Sequence, residues 1–259
     1  EEEIDRLVLL GTREDAIRVT GDASFERALE RVDRARQASS ANGRRLPDRT
    51  PGRVRLCAGS TWPEDERVLV EAMAVLTASR SSGADDDLEL ILVPHEPDAS
   101  ALKRIRVLCV EHLGVEPRLW SAGPAPADGA SLGSGMPPPL VVDAVGFLAE
   151  LYLECDLAWV GGGIGGEGLH SVVEPAAAGL PVLFGPVYDR WEARQMVQKG
   201  IGLEVEPDLV PSILSGLVDD PGRRTDMGAE ARLYVESGRG ATEASARLVV
   251  GLLGEKPAT

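Results

Sequence analysis

Residues 157–186 read LAWVGGGIGGEGLHSVVEPAAAGLPVLFGP. Four apolar residues lead into Gly161, Gly162, Gly163, Gly165, Gly166 and Gly168; a helical pattern follows, then the apolar run 182–184. Strand, glycine-rich turn, helix and strand in this order form the unit from which helix-covered parallel sheets are built. Glycine permits positive φ and close approach of backbone to a ligand. The helix behind the loop offers unpaired N–H groups and the positive end of its dipole. A turn needs fewer glycines than this, so the loop predicts a phosphate site with Gly163, Gly165, Gly166 and Gly168 facing the ligand.

His170 and Glu174 are four apart and share a face near the helix start. There the Glu174 carboxylate can accept from a ribose diol, while the His170 imidazole or the Ser171 hydroxyl can meet a phosphate. Simple compensation of the helix dipole is an equally good reading of Glu174 on spacing alone. Pro175 lacks an N–H, so it either opens the regular helix or kinks its first turn, and both place Glu174 near the N-terminal end. Gly163-x-Gly165-x-x-Gly168 also matches the dinucleotide fingerprint in form. That fingerprint expects the first strand–helix unit and an acid at the end of the next strand. Here the loop follows the fourth predicted strand, and Gly185 stands where the acid belongs. A nicotinamide enzyme is therefore a minor alternative.

Working outward, strand-like runs at 54–58, 88–93, 140–142, 157–160, 182–184 and 203–205 alternate with helical patterns at 64–80, 99–112, 147–154, 171–178 and 191–199. Two further helices, 221–236 and 241–253, close the chain. The alternation predicts an α/β fold: a Rossmann-like parallel sheet with helices on both faces. The expected domain spans 53–254. Residues 1–38 differ: a short helix, a possible strand IRVTG at 17–21, and a helix through FERALERVDRARQ, read as a segment connecting to a preceding domain. The polar stretch 39–52 reads as a linker or loop. Residues 121–139 lack periodicity and predict a mobile loop.

Two more polar clusters fall at strand ends, where open parallel sheets hold their ligands. After the first strand comes GSTWPEDE, in which Thr61 and Glu64 have the spacing of a capping box and Ser60–Thr61 sits at the crevice. After the second comes VPHEPD, where Pro94 and Pro97 hold His95 and Glu96 in an extended turn.

The 259 residues carry a formal net charge of −15. A basic face is what sequence-independent nucleic-acid binding and attraction to anionic lipid require, so both are excluded as expectations. No run approaches the roughly 18–20 apolar residues of a membrane span. The chain opens EEEIDRLVLL, with neither an initiator Met nor a basic segment before an apolar stretch. It reads as lacking a signal peptide and as a fragment or processed form. The three cysteines, Cys57, Cys109 and Cys155, lie in apolar segments without a C-x-x-C pair, as small buried hydrophobes of a reducing compartment. Cysteine and histidine spacing shows no metal site.

The motifs VTGD (19–22), FERALE (25–30), GSTWPEDE (59–66), VPHE (93–96), VDAVGFLAELY (142–152), WVGGGIGGEGLHSVVEPAAAGLPVLFGP (159–186) and YDRWEA (188–193) occur in this order. Together they resemble the carboxy-terminal half of bacterial 3-deoxy-D-manno-octulosonic acid (Kdo) transferases, over about residues 1–205. The resemblance implies the C-terminal domain of a GT-B-type glycosyltransferase. It implies CMP-Kdo as donor, lipid A precursor as acceptor, and an inverting transfer without metal or cofactor at the cytoplasmic face of the inner membrane. The acceptor domain, with its carboxylate base, would precede this chain, leaving the fragment inactive alone and without a catalytic residue of its own. Carried over, Pro94, His95 and Glu96 approach the donor nucleotide, Gly146 lies along the CMP, and Ser171 and Glu174 serve the phosphate and ribose. The commoner family form has Pro-Arg-His where this chain has Pro94-His95, and His-Asn where it has His170-Ser171. The competing expectations are a UDP-sugar glycosyltransferase, a UDP-sugar 2-epimerase and a non-catalytic nucleotide-binding module.

Overall fold

The apolar run VRLCA extends to β1 (Val54–Thr61), the centre of a seven-stranded, all-parallel sheet. In a computed structural model, residues 2–38, 46, 49, 52–79, 88–123 and 137–254 are described. The predicted loop at 121–139 and linker at 39–52 lie largely outside them. Of the linker, Leu46 is buried and Arg49 pairs with Asp156 at 2.8 Å.

Chain order runs α1 (Glu2–Leu9), α2 (Ala23–Ala38), β1, α3 (Pro63–Ser79), β2 (Leu88–Pro94), α4 (Ala99–Leu113), β3 (Arg118–Leu119), β4 (Leu140–Val141), α5 (Leu148–Tyr152) and β5 (Leu157–Val160). It continues with α6 (Val173–Ala178), β6 (Val182–Phe184), α7 (Trp191–Gln198), β7 (Gly202–Glu204), α8 (Val210–Asp219), α9 (Pro221–Ser237) and α10 (Ala241–Gly254). The strand order is β3-β4-β2-β1-β5-β6-β7. The glycine loop therefore follows the fifth strand, because the two-residue β3 escapes a sequence reading. The possible strand at 17–21 does not form, and Val19 is exposed there. Residues 210–219 form a helix that the sequence reading omitted; Pro211 sits in its first turn, where a missing N–H costs nothing.

Alternation within the strands builds two cores. Leu56, Ala58, Leu90, Leu92, Leu157 and Trp159 pack against α3, α4 and α8. Cys57, Ile91, Ala158 and Val160 face the other side. Burial on both faces is why these strands read as continuous apolar runs. Local signals set the helix ends: Asp98 accepts the Ala101 N–H at 2.8 Å, and Gly114 closes α4 in the left-handed region.

Helix α2 belongs to this packing. Phe25, Leu29 and Val32, spaced for one helical face, are buried with Val172, Val173, Ala176 and Ala177 of the α6 region and with Ala231 and Val235 of α9. The boundary expected at residue 53 does not follow the core. Glu26 of α2 accepts the N–H groups of Gly240 and Thr242 at 2.7 and 2.8 Å, and Ser245 Oγ donates to Thr20 Oγ1 at 2.9 Å. The start of α10 is thus tied to α2. The cysteines are buried free thiols, and burial pushes Cys109 up to about 12.

Candidate functional site

Sheet order reverses at β1: β2 lies to one side and β5 to the other. A crevice at such a switch point, beyond the carboxyl ends of the strands, is where open α/β sheets hold ligands. Three predicted segments meet there. A register shift between Gly59 and Thr61 places Ser60 at φ 53°, a left-handed conformation rare outside glycine. Gly161 N–H donates to Gly59 O at 2.9 Å, and His95 N–H donates to Thr61 O at 3.0 Å. His170 N–H closes the glycine loop on Gly161 O at 3.1 Å.

Above these backbone ties sits an aromatic cluster. Trp62 stacks on His95 with ring centroids 4.8 Å apart, and His95 lies 4.5 Å from His170. Trp62 Nε1 donates to His170 Nε2 at 3.2 Å, which requires a lone pair on that nitrogen. Burial, then His95 and Arg190, hold His170 below the ordinary histidine value of 6.5. Below pH 6.5 the unfolded chain therefore binds more protons than the folded one, and stability falls as pH falls through that window. His170→Gln removes this loss: relative to the parent, urea unfolding midpoints should favour the variant more at about pH 5.5 than at about pH 7.

The groups that fix the cluster were not predicted. Asp65, fully buried, accepts from Trp62 N–H at 3.0 Å, Trp159 Nε1 at 3.1 Å and Gly162 N–H at 2.9 Å. It joins the start of α3, the end of β5 and the first turn of the glycine loop. Burial pushes its carboxyl up, and these three donors act against that. Glu66 is also fully buried; Arg104 of α4 pairs with it at 2.7 and 3.1 Å, and Thr61 Oγ1 donates to it at 3.4 Å. The capping box expected from Thr61 and Glu64 is displaced by one residue: Asp65 reaches back to Trp62, while Glu64 pairs with Arg67 on the surface. The spacing of three consecutive acids hid which two turn inward.

The glycines divide into two groups. A Cβ on Gly163 would lie 2.9 Å from the backbone of Gly185, so close chain packing accounts for that residue. Gly168, exposed at φ 101°, has open space where a Cβ would be, and Gly165 and Gly166 are exposed beside it. The outer half of the loop is the part able to meet a ligand. The helix expected from 171 begins at Val173 and has six residues, so its dipole adds little. Ser171 is exposed ahead of it. Glu174, mostly buried, pairs with Arg31 of α2 at 3.1 Å; burial pushes its carboxyl up, and Arg31 and Arg27 draw it down. Gly146 is exposed in the turn before α5. Thr61, His95 and Glu96 line a cavity of about 140 Å³ bounded by Arg104, and Pro94 is buried at the end of β2. A second cavity of about 530 Å³ opens beyond Gly168.

No family model matches the chain. It is 29% identical over 239 residues to the 3-deoxy-D-manno-octulosonic acid transferase of Bordetella pertussis, covering 88% of this chain and 50% of that protein. The same-named protein of Chlamydia trachomatis serovar A is 26% identical over 246 residues, covering 90% and 48%. The chain thus spans about half the length of the curated relatives it matches. Among solved structures, the C-terminal CMP-Kdo binding domain of WaaA from Acinetobacter baumannii superposes with TM-score 0.57 at 20% identity, covering 80% of this chain and 98% of that domain. A putative UDP-N-acetylglucosamine 2-epimerase from Listeria monocytogenes gives 0.51 at 15%, covering 96% and 56%. The chain resembles Kdo transferases in sequence, and its fold is that of the C-terminal domain of GT-B-type glycosyltransferases.

Proposed function

We propose that this chain is the donor-binding half of a Kdo transferase, holding CMP-Kdo for transfer to lipid A precursor at the cytoplasmic face of the inner membrane. The observation that carries the reading is the meeting of GSTW, PHE and GLHS at the switch point of the sheet, in a chain similar to Kdo transferases over 88% of its length. The site for the acceptor and the base that deprotonates it would lie in the part of such a transferase that this chain does not span.

In this scheme the exposed part of the loop, Gly165–Gly168, gives its backbone to the donor phosphate, with Ser171 beside it. Glu174 accepts from the ribose hydroxyls, and the turn at Gly146 borders the nucleotide. An acceptor hydroxyl attacks the anomeric carbon, the bond from that carbon to the CMP phosphate oxygen breaks, and the hydroxyl proton passes to the base. The CMP oxygen leaves with the electron pair, and N–H groups aimed at the phosphate stabilise the charge it gains. The protein groups named here perform binding and charge stabilisation without a metal.

Calorimetric titration with CMP, UMP, UDP and NAD tests the reading. CMP should bind most tightly, and Glu174→Ala should weaken it by at least about tenfold through loss of a charged hydrogen-bond acceptor. UDP binding tighter than CMP would replace the reading by the UDP-sugar one, and silence with all four would remove the nucleotide site from this chain.

A further inference from the structure

Helix α2 buries Phe25, Leu29 and Val32 and leaves Arg27 and Arg31, four apart, exposed along one flank. From that flank Arg31 Nη1 comes within 3.1 Å of Glu174 Oε1, where the Glu174 side chain is 16% exposed and that of Arg31 50%. Glu174 Oε2 has no hydrogen-bond partner among the described residues. One carboxylate oxygen is therefore fixed from α2, and the other is left for a ligand. Helices α2, α5 and α9 all pack against α6. The other groups they turn toward Glu174 are Arg27 of α2, which acts in the same direction as Arg31, and Glu150 of α5, which opposes both. Tyr152 of α5 is buried and stays a neutral phenol, because burial pushes it well above 10. Arg232 of α9 is engaged by Ala177 O at 3.1 Å and by Glu236 at 2.9 Å. Burial pushes the Glu174 carboxyl up, and Arg31 is the main charge opposing it.

We propose that Arg31 is a positioning residue for the donor and acts through Glu174: the ion pair from α2 supplies the charged, oriented acceptor that the ribose hydroxyls meet. The inference rests on the donor reading above and adds to it the group that sets the state of its acceptor. A hydroxyl donates more strongly to a carboxylate than to a protonated carboxyl, which is itself a donor at one oxygen. Affinity for a ribonucleotide should therefore fall as pH falls through the Glu174 value. Loss of Arg31 moves that value further above 4.5, so the fall begins at higher pH. An ion pair that only fastened α2 to α6 would instead weaken binding equally at every pH.

The test is calorimetric titration of the 259-residue chain with CMP between about pH 8 and about pH 5.5, read as the ratio of variant to parent affinity. The ligand phosphate, which titrates near about pH 6, and His170 act in both chains alike and cancel in that ratio. Arg31→Gln should bind CMP within about twofold of the parent at about pH 8 and about threefold or more weaker at about pH 5.5, the half exposure of the arginine limiting the shift. Arg31→Lys keeps the charge and should lie between the parent and Gln. In a Glu174→Gln background, Arg31→Gln should have no further pH-dependent effect. Arg31→Met, which keeps the apolar stem, gives the same reading should Arg31→Gln fail to fold. A ratio constant across this range overturns the inference and leaves the donor reading standing. So does an Arg31→Gln effect of undiminished size in the Glu174→Gln background, which would put Arg31 on the phosphate itself. A parent chain that does not bind CMP removes the donor reading and this inference together.

Discussion

Replacing Asp65 with alanine is expected to lower stability by about 3–5 kcal/mol, because two buried donors and one part-buried donor lose one charged acceptor together. Each hydrogen bond to a charged group contributes about 1.5–3 kcal/mol, but the three are not additive, and relief of the buried charge offsets part of the loss. Trp159 Nε1 and Gly162 N–H would lack a partner in a buried site, and Trp62 N–H would lose its partner in a part-buried one. Asp65→Asn keeps the volume and one carbonyl acceptor but turns an amide donor toward another donor. It should therefore cost about half as much. Equilibrium urea unfolding measures both. Two variants of equal cost, each below about 1 kcal/mol, would show that Asp65 does not hold the loop. On the donor reading, CMP affinity should fall with stability in the order parent, Asn, Ala.

Arg104→Met is the second large effect. It leaves Glu66 fully buried with only the long Thr61 hydrogen bond. Breaking one side of a buried pair costs about 3–5 kcal/mol; with a third of the Arg104 side chain exposed, about 2–3 kcal/mol is expected near neutral pH. Glu66 already lies above the ordinary glutamate value of 4.5 because burial disfavours its charge, and Arg104 is the main group opposing this. Without Arg104 the folded-state value rises further. A raised carboxyl value makes the folded state bind more protons, so the cost of Arg104→Met should shrink as pH falls from neutrality toward 4.5. Adding Glu66→Gln should restore most of the loss at neutral pH and abolish its pH dependence. A cost independent of pH would show that lost packing of the arginine stem, rather than the stranded carboxylate, is responsible.

Legibility in the sequence followed the range of the interactions. The strands at 157–160 and 182–184 were readable to the residue, since apolar runs ended by glycine or proline carry their own boundaries. Strand β3 has two residues and is defined by its neighbour β4 alone. The site was readable as segments at three strand ends, but the groups that bind them together were not. Asp65 and Glu66 take their roles from partners 94, 97 and 38 positions away, and nothing local distinguishes a buried acid from a solvated one. Gly163 was assigned to a ligand because a glycine freed for a phosphate and one crowded by Gly185 look alike in sequence. The apolar face of α2 was visible as a pattern, while the surface it covers was not.

The tie between α2 and α10 has a consequence for hydrogen exchange. Opening the first turn of α10 removes the Gly240 and Thr242 N–H groups from Glu26 and so loosens α2. Arg31, the ion-pair partner of Glu174, travels with that helix. Fluctuations of a helix more than two hundred residues along the chain thus reach the carboxylate beside the glycine loop. Amide protons of α2 and of the start of α10 should then exchange as one cooperative unit, and a ligand that engages Glu174 should slow both together.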